Sequence, residues 1–210
     1  MRLLCGQSNR VWHYLQGKTD RCGVLLSPSY WRRVPFDSYM PFALDNGAFI
    51  AWRDGKEWDE AAWKEMLTEV ARRARTPLWC AVPDVVADKN ATIERWPDYV
   101  GEVKRRGWAA AFCVQDGMTP GDVPSDADVV FIGGSDRFKF RALPGFCRSF
   151  RRVHCARVNS PEMIQSCERN GCESIDGTGW FRDPSRKDKV PFLSRFLSGE
   201  IIEHPELLKL

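Results

Sequence analysis

The sequence of 210 residues lacks a long hydrophobic run, a C-x-x-C pair, an internal repeat and a glycine-rich dinucleotide fingerprint. No apolar stretch approaches the roughly 20 residues of a membrane-spanning helix, so we expect no membrane partner. The first residues, 1–6, lack the sustained apolar core of a secretory signal, which favours a reduced cytoplasm. No linker divides the chain, and we predict one domain over residues 1–210.

Cysteine is plentiful, with eight residues, yet its spacing argues against a disulfide framework or a zinc site. Cys167 and Cys172 are separated by four residues and have no matching second pair. Most of the other cysteines lie in apolar runs, where cysteine acts as a small core residue. We therefore predict no bound metal. The net charge of +3 is too small to indicate a nucleic-acid partner by itself.

Eight short apolar runs alternate with helical or loop segments. They are residues 2–5, 23–26, 42–45, 78–82, 108–114, 128–132, 153–158 and 173–176. Helical periodicity and caps predict helices over 59–75, 88–106 and 189–197, and another that begins at Ser160. Eight apolar strands between helices predict a closed (β/α)8 TIM-type barrel. Because 210 residues are few for that fold, we expect shortened or missing connecting helices. A doubly wound open sheet is the alternative.

Three aspartates, Asp45, Asp84 and Asp176, each follow or end one of these runs. A single aspartate in such a place is commonly a turn former or a helix cap. The carboxyl ends of barrel strands, however, lie on one face, so three equivalent positions favour one shared pocket. Two carboxylates in a pocket can divide the chemistry, one attacking a sugar carbon while the other transfers protons.

The order of these motifs resembles that of the tRNA-guanine transglycosylase superfamily over residues 42–180. The segments that carry the likeness are Leu44-Asp-Asn-Gly-Ala-Phe49, Val114-Gln-Asp-Gly117, Ile132-Gly-Gly-Ser135, Arg157-Val-Asn-Ser-Pro-Glu162 and Ile175-Asp-Gly177. They are similar to the family's aspartate-Gly-Phe signature, Val-Gln-Gly segment, Gly-Gly loop, Pro-Glu helix start and nucleophile strand. Full-length members are longer and carry a cysteine-rich zinc motif beyond the nucleophile, but no cysteine follows Asp176 here. The chain therefore looks closer to the compact relatives that place 7-deazaguanines in DNA, known from bacteria and bacteriophages.

The resemblance implies a role for each matching position. Asp176 would be the nucleophile and Asp45 the general acid and base. Asp84 would read the ring N–H and amine of guanine. The rest of the base site would comprise Gln115, Gly133, Gly134, Ser135, Asn46 and Phe49. The partners implied are DNA, with RNA possible, and a 7-deazaguanine base such as 7-cyano-7-deazaguanine, with no cofactor, in a bacterial or phage-infected cell.

Basic residues follow two of the predicted strands and would contact phosphates at the active face. They are Arg137, Lys139, Arg141, Arg182, Arg186 and Lys187. The alternative interpretation of these residues is an ordinary solvated surface. Phe49, Phe138, Trp180 and Phe181 are candidates for stacking on the base or for core packing. His154 lies inside a strand and is predicted to be a core histidine.

Two other functions stay open at this point. A nucleoside or glycoside hydrolase would use Asp176 with water as acceptor, and a non-catalytic nucleic-acid-binding protein would keep only the fold. The small size also admits a homodimer or a partner protein that completes the substrate groove.

Overall fold

Eight parallel strands close into a barrel in the computed structural model of the chain, which describes residues 1–6, 20–33, 40–73, 75–180 and 189–200. The strands are β1 (Arg2–Cys5), β2 (Cys22–Leu26), β3 (Phe42–Leu44), β4 (Cys80–Ala81), β5 (Ala110–Val114), β6 (Val129–Ile132), β7 (Val153–Cys155) and β8 (Ser174–Asp176). Each strand pairs with its neighbours in sequence, and β1 also pairs with β8. The predicted (β/α)8 barrel is confirmed, and the open sheet is excluded.

Six helices surround the described part of the barrel. They are α1 (Ala48–Arg53), α2 (Glu60–Arg72), α3 (Lys89–Lys104), α4 (Asp136–Ser149), α5 (Pro161–Arg169) and α6 (Lys189–Leu197). Between β5 and β6 the connection holds only a 3-10 turn, Pro120–Asp122, so the expected shortening of helices is found. No helix in the described ranges is long and apolar enough to cross a membrane.

Side-chain caps set the beginnings of the predicted helices. Asp59, Asp88 and Ser160 each accept a hydrogen bond from a backbone N–H in the first turn of α2, α3 and α5. Such caps satisfy N–H groups that have no partner inside the helix. Helix α4 was not predicted from the sequence, since Pro144 and Gly145 lie in its interior and lower its helix propensity. Its burial of Leu143 and Phe146 against the barrel outweighs that cost.

Strand alternation divides the core into two layers. One lies between the strands and the helices, and the other fills the barrel. Apolar side chains inside the barrel include Leu4, Leu25, Ala43, Trp79, Ala81, Ala111, Cys113 and Val129. The three alanines leave room for the fully buried Trp79 ring. His154 packs on this indole, which places the inward side of β7 in the same interior layer.

Candidate active site

A pocket opens at the carboxyl ends of the strands, and the three predicted aspartates meet there. Its empty volume is about 590 Å³, which includes space open to solvent. The lining residues of this barrel-mouth pocket are Leu25, Asp45, Asn46, Phe49, Asp84, Val86, Cys113, Gln115, Phe131, Gly133, Gly134, Ala156, Arg157 and Asp176. Barrel topology therefore brings together carboxylates that are up to 131 residues apart, since 176 − 45 = 131.

Asp84 is held by two side-chain amides. Asn46 Nδ2 donates to Asp84 Oδ1 at 2.8 Å, and Gln115 Nε2 donates to Asp84 Oδ2 at 2.7 Å. The backbone N–H of Ala87 donates to Gln115 Oε1, which fixes the direction of the Gln115 amide. Burial raises the pKa of Asp84, and these hydrogen bonds counteract part of that rise. The carboxylate is therefore held rigidly, with acceptor capacity left on both oxygens.

Asn46 forms several hydrogen bonds around the pocket, and the sequence did not indicate them. Its Nδ2 also donates to the Val82 carbonyl, and its Oδ1 accepts from the backbone N–H of Ala48 at the start of α1. Trp58 Nε1 donates to the Asn46 carbonyl oxygen at 2.8 Å. The Asn46 amide is thus committed to the protein, and we interpret Asn46 as a support for Asp84.

Asp45 has the electrostatics of a proton-transfer group. Burial is the largest cause that raises its pKa, from 3.8 to about 7, and the charges of Asp176 and Asp84 add to it. The backbone N–H groups of Gly47 and Asn46 donate to the carboxylate and oppose the rise. A carboxyl that titrates near neutrality can both give and take a proton under physiological conditions.

Asp176 is hydrogen-bonded through both carboxylate oxygens. His154 Nε2 lies 3.0 Å from Oδ2, and the backbone N–H of Arg157 donates to Oδ1 at 3.2 Å. His154 Nδ1 in turn lies 2.9 Å from Ser174 Oγ. This serine is buried and does not line the pocket, so the Ser174–His154–Asp176 contacts do not form a hydrolase triad with an accessible serine nucleophile.

His154 and Arg157 are the site residues that sequence reasoning missed. His154 is buried as predicted, but its partner is the candidate nucleophile. Arg157 adopts the left-handed conformation, with φ 56°, and its guanidinium lies over Phe49 while donating to the Gly134 carbonyl oxygen. The inward parity of β7 could have pointed to His154, and the strand-end rule could have pointed to Arg157.

The two glycines after β6 differ in what their backbone offers. The Gly133 N–H donates to the Val114 carbonyl oxygen. The Gly134 N–H has no hydrogen-bond acceptor in the described part of the chain. Gly134 has φ 76°, and an added Cβ would lie 2.1 Å from Asp116 Oδ1, so another residue would be strained there and would displace the Asp116 side chain. Of the two, Gly134 is the one able to donate to a base.

Two predicted contact residues lie elsewhere. Ser135 is exposed and lies beside the pocket, where its Oγ contacts Asp116 Oδ2 at 2.7 Å and it caps α4. Lys139 was expected at the phosphate-contacting surface, but its side chain is fully buried, and Nζ donates to the Ala156 carbonyl oxygen at 2.6 Å. The prediction for Lys139 was wrong because α4 turns this position toward the barrel.

Arg137 and Arg141 remain exposed at the active face. They line a second hollow together with Asp116, Gly117, Ser135, Phe138 and Ala142. Trp180 is a core residue, since it is buried and its Nε1 donates to the Val158 carbonyl oxygen. Arg182, Arg186, Lys187 and Phe181 lie outside the described residues.

Among the residues that the structure describes, the pocket holds neither a metal centre nor a reactive thiol. No group of three or more His, Cys, Asp or Glu side chains there is placed to hold a metal ion. Cys113 lines the pocket, but burial raises the pKa of its thiol well above the ordinary value, and the nearby Asp84 and Asp45 raise it further. A protonated thiol is a poor nucleophile, so the acidic side chains are the reactive candidates.

Comparisons with known proteins find similarity only among solved structures. No protein-family model matches the chain, and no curated protein matches it. The structure of a FabK mutant from Thermotoga maritima is 12% identical with a TM-score of 0.48, covering 84% of this chain and 60% of that one. A native KDPGal structure is 11% identical with a TM-score of 0.48, covering 100% and 95%. The chain thus spans less than two thirds of the FabK chain, and the strand pairing above, not these similarities, establishes the barrel.

Proposed function

We propose that the chain is a guanine transglycosylase that exchanges guanine in DNA for a 7-deazaguanine through a covalent aspartyl-sugar intermediate. The observation that carries the proposal is the convergence of Asp45, Asp84 and Asp176 on one pocket at the barrel mouth. Their environments differ, since Asp84 is clamped by two amides while the pKa of Asp45 is raised to about 7. Carboxylates whose environments separate their roles are typical of acid–base and nucleophilic sites.

In the proposed reaction, Asp176 attacks C1′ of the target nucleotide. The C1′–N9 bond breaks, an ester bond from Asp176 to C1′ forms, and protonated Asp45 gives its proton to the departing guanine. The incoming 7-deazaguanine then loses its N9 proton to Asp45. Its N9 attacks C1′ and releases the Asp176 carboxylate. Protons and bonds balance over the two steps, so the exchange consumes no other reactant.

Base selection is assigned to Asp84 and its neighbours. The two oxygens of Asp84 would accept from the N1–H and the exocyclic amine of guanine, and adenine does not present that pair of donors. The Gly134 N–H and the second N–H of Gln115 Nε2 would donate to the guanine carbonyl oxygen. A site built to pair with a set of donors rejects a base that lacks them, because its buried acceptors would be left unpaired.

The proposed DNA substrate requires that the target guanine leave the base stack. Arg137 and Arg141, exposed beside the pocket, are proposed to contact the flanking phosphates. Arg182, Arg186 and Lys187 stay predictions from the sequence. A 7-deazaguanine base and DNA, with RNA as a second substrate to be compared, are the partners that the proposal names.

The decisive experiment is mass spectrometry of nucleosides from DNA incubated with the protein and candidate 7-deazaguanines, with RNA run in parallel. We expect a modified deoxynucleoside together with release of one guanine per event. An adduct of protein and DNA that resists denaturation should form with the wild type and be lost in Asp176→Ala. Base loss without incorporation would favour a hydrolase. DNA retention without an adduct or a modified nucleoside would favour a non-catalytic binding protein.

A further inference from the structure

We infer that His154 is a positioning residue for Asp176, held by a hydrogen-bond chain that runs from Trp79 through Ser174. The chain has three links. Trp79 Nε1 donates to Ser174 Oγ at 3.4 Å, Ser174 Oγ contacts His154 Nδ1 at 2.9 Å, and His154 Nε2 contacts Asp176 Oδ2 at 3.0 Å. We call these residues the donor chain. The donor chain itself is independent of the proposed function, and only the reaction of Asp176 rests on that proposal.

Counting protons along the donor chain decides which imidazole nitrogen carries hydrogen. Indole Nε1 can only donate, so Ser174 Oγ accepts at that contact. The Ser174 hydroxyl proton then needs an acceptor, and the serine is 1% exposed, so water does not supply one. In the described part of the chain, the acceptor within reach is His154 Nδ1. Its proton therefore lies on Nε2, which donates to the Asp176 carboxylate.

Packing prevents the imidazole from adopting another orientation. The Trp79 ring centroid lies 4.6 Å from that of His154, and the Phe131 centroid lies 4.7 Å from it. The His154 side chain is fully buried. A buried ring that packs on two aromatic groups and is hydrogen-bonded at both nitrogens has one orientation and one tautomer. The same contacts leave His154 no free lone pair, so it acts as a donor and not as a base.

The consequence for Asp176 is a carboxylate fixed from two sides. His154 Nε2–H holds Oδ2, and the Arg157 backbone N–H holds Oδ1. Hydrogen bonds to both oxygens of a carboxylate restrict its rotation. A pre-aimed nucleophile avoids the entropy cost of orientation during attack. The donor chain thus prepares Asp176 without touching the substrate.

The first test reads the tautomer in the free protein and needs no substrate. The chain has three histidines, so two-bond ¹H–¹⁵N spectra of ¹⁵N-histidine-labelled protein contain three imidazole patterns. The loss of one pattern in His154→Gln assigns it. At about pH 8, where an ordinary imidazole is neutral, we expect the Nε2–H tautomer for His154. A proton on Nδ1, or protons on both nitrogens, would overturn the inference.

The second test measures the single-turnover rate of adduct formation with DNA. His154→Phe keeps an aromatic ring but removes the donor, and we expect a loss of about 10- to 100-fold in that rate with unchanged base affinity. His154→Gln places an amide N–H near the position of Nε2 and should recover part of the rate. Thermal unfolding of each variant checks that it is folded.

The outcomes separate the two proposals. An unchanged adduct rate in folded His154→Phe would refute the positioning role while leaving base exchange intact. A wild type that forms no adduct, yet shows the Nε2–H tautomer, would refute base exchange and uphold the donor chain. If His154→Phe does not fold, His154→Gln and Ser174→Ala replace it. Loss of the single tautomer in Ser174→Ala would support the chain, and its full retention would contradict it.

Discussion

The guanidinium of Arg157 lies over the ring of Phe49, with 4.5 Å between the guanidinium carbon and the ring centroid. A planar cation therefore covers one face of a ring that the sequence marks as a candidate for stacking on the base. The same guanidinium donates a hydrogen bond to the Gly134 carbonyl oxygen, and the N–H of Gly134 is the group proposed to donate to the base. A base that stacks on this face of Phe49 has to displace Arg157.

Replacement of Arg157 by glycine should therefore strengthen binding of the free base. A cation–π contact at such a site contributes about 1 kcal/mol, so its removal should tighten binding about fivefold. Titration calorimetry with a 7-deazaguanine would measure the change. Weaker binding in Arg157→Gly would mean that the guanidinium contacts the base instead of competing with it.

Arg157→Ala is the matched control for that variant. Both changes remove the guanidinium, and both retain the backbone N–H that donates to Asp176. At φ 56° glycine is unstrained, whereas alanine carries the left-handed penalty of about 1 kcal/mol. Urea unfolding should find the glycine variant more stable by about that amount, while the two base affinities agree.

The raised pKa of Asp45, about 7 against 3.8, predicts how stability depends on pH. Between those values the folded protein holds a proton that the unfolded chain has released, so this group lowers the free energy of unfolding as pH rises through the window. Asp45→Asn removes the titration. The free energy of unfolding of Asp45→Asn minus that of the wild type should therefore increase by a few kcal/mol as the pH rises from about 4 to about 8.

Urea unfolding of both proteins at the two pH values measures the gain. An equal difference in the free energy of unfolding at both pH values would show that the pKa of Asp45 is not raised. The Asp45→Asn variant should also lose base exchange, because an amide at this position is not acidic enough to give a proton to the leaving guanine in the proposed mechanism.

The amides that clamp Asp84 should contribute unequally to stability. Gln115→Ala removes one donor to Asp84 and the acceptor of the Ala87 N–H, which should lower the free energy of unfolding by about 1–3 kcal/mol. Asn46→Ala should lower the free energy of unfolding further, because the Asn46 amide also forms hydrogen bonds with the backbone of Val82 and Ala48. Chemical denaturation ranks the two, and the reverse order would contradict the geometry.

The basic residues of α4 should separate into structural and DNA-contacting groups. Arg137→Ala and Arg141→Ala should weaken DNA binding, and each should reduce the slope of log affinity against log salt by about 1. Lys139→Met should leave that slope unchanged and should destabilise the fold, because the buried Nζ bonds the Ala156 carbonyl oxygen. Fluorescence anisotropy at several salt concentrations gives the slopes. A reduced slope in Lys139→Met would refute its assignment as a core residue.

The strand-end aspartates could be predicted because the signal is local. An apolar run followed by Asp and a turn, as at Asp45 and Asp176, places the carboxylate at a strand end whatever the rest of the chain does. The error at Lys139 arose because no helix was predicted over residues 136–149. Once α4 is known, Arg137 and Arg141 lie one turn apart on one face, and Lys139 lies between them on another.

By itself, the sequence determined the eight strands and the aspartates at their carboxyl ends, because hydrophobic pattern and turn chemistry act over a few residues. Only the tertiary structure decided which polar groups pair, such as His154 with Asp176 and Asn46 with Asp84. Those pairs join different strands, and their distances depend on barrel packing that no local pattern encodes.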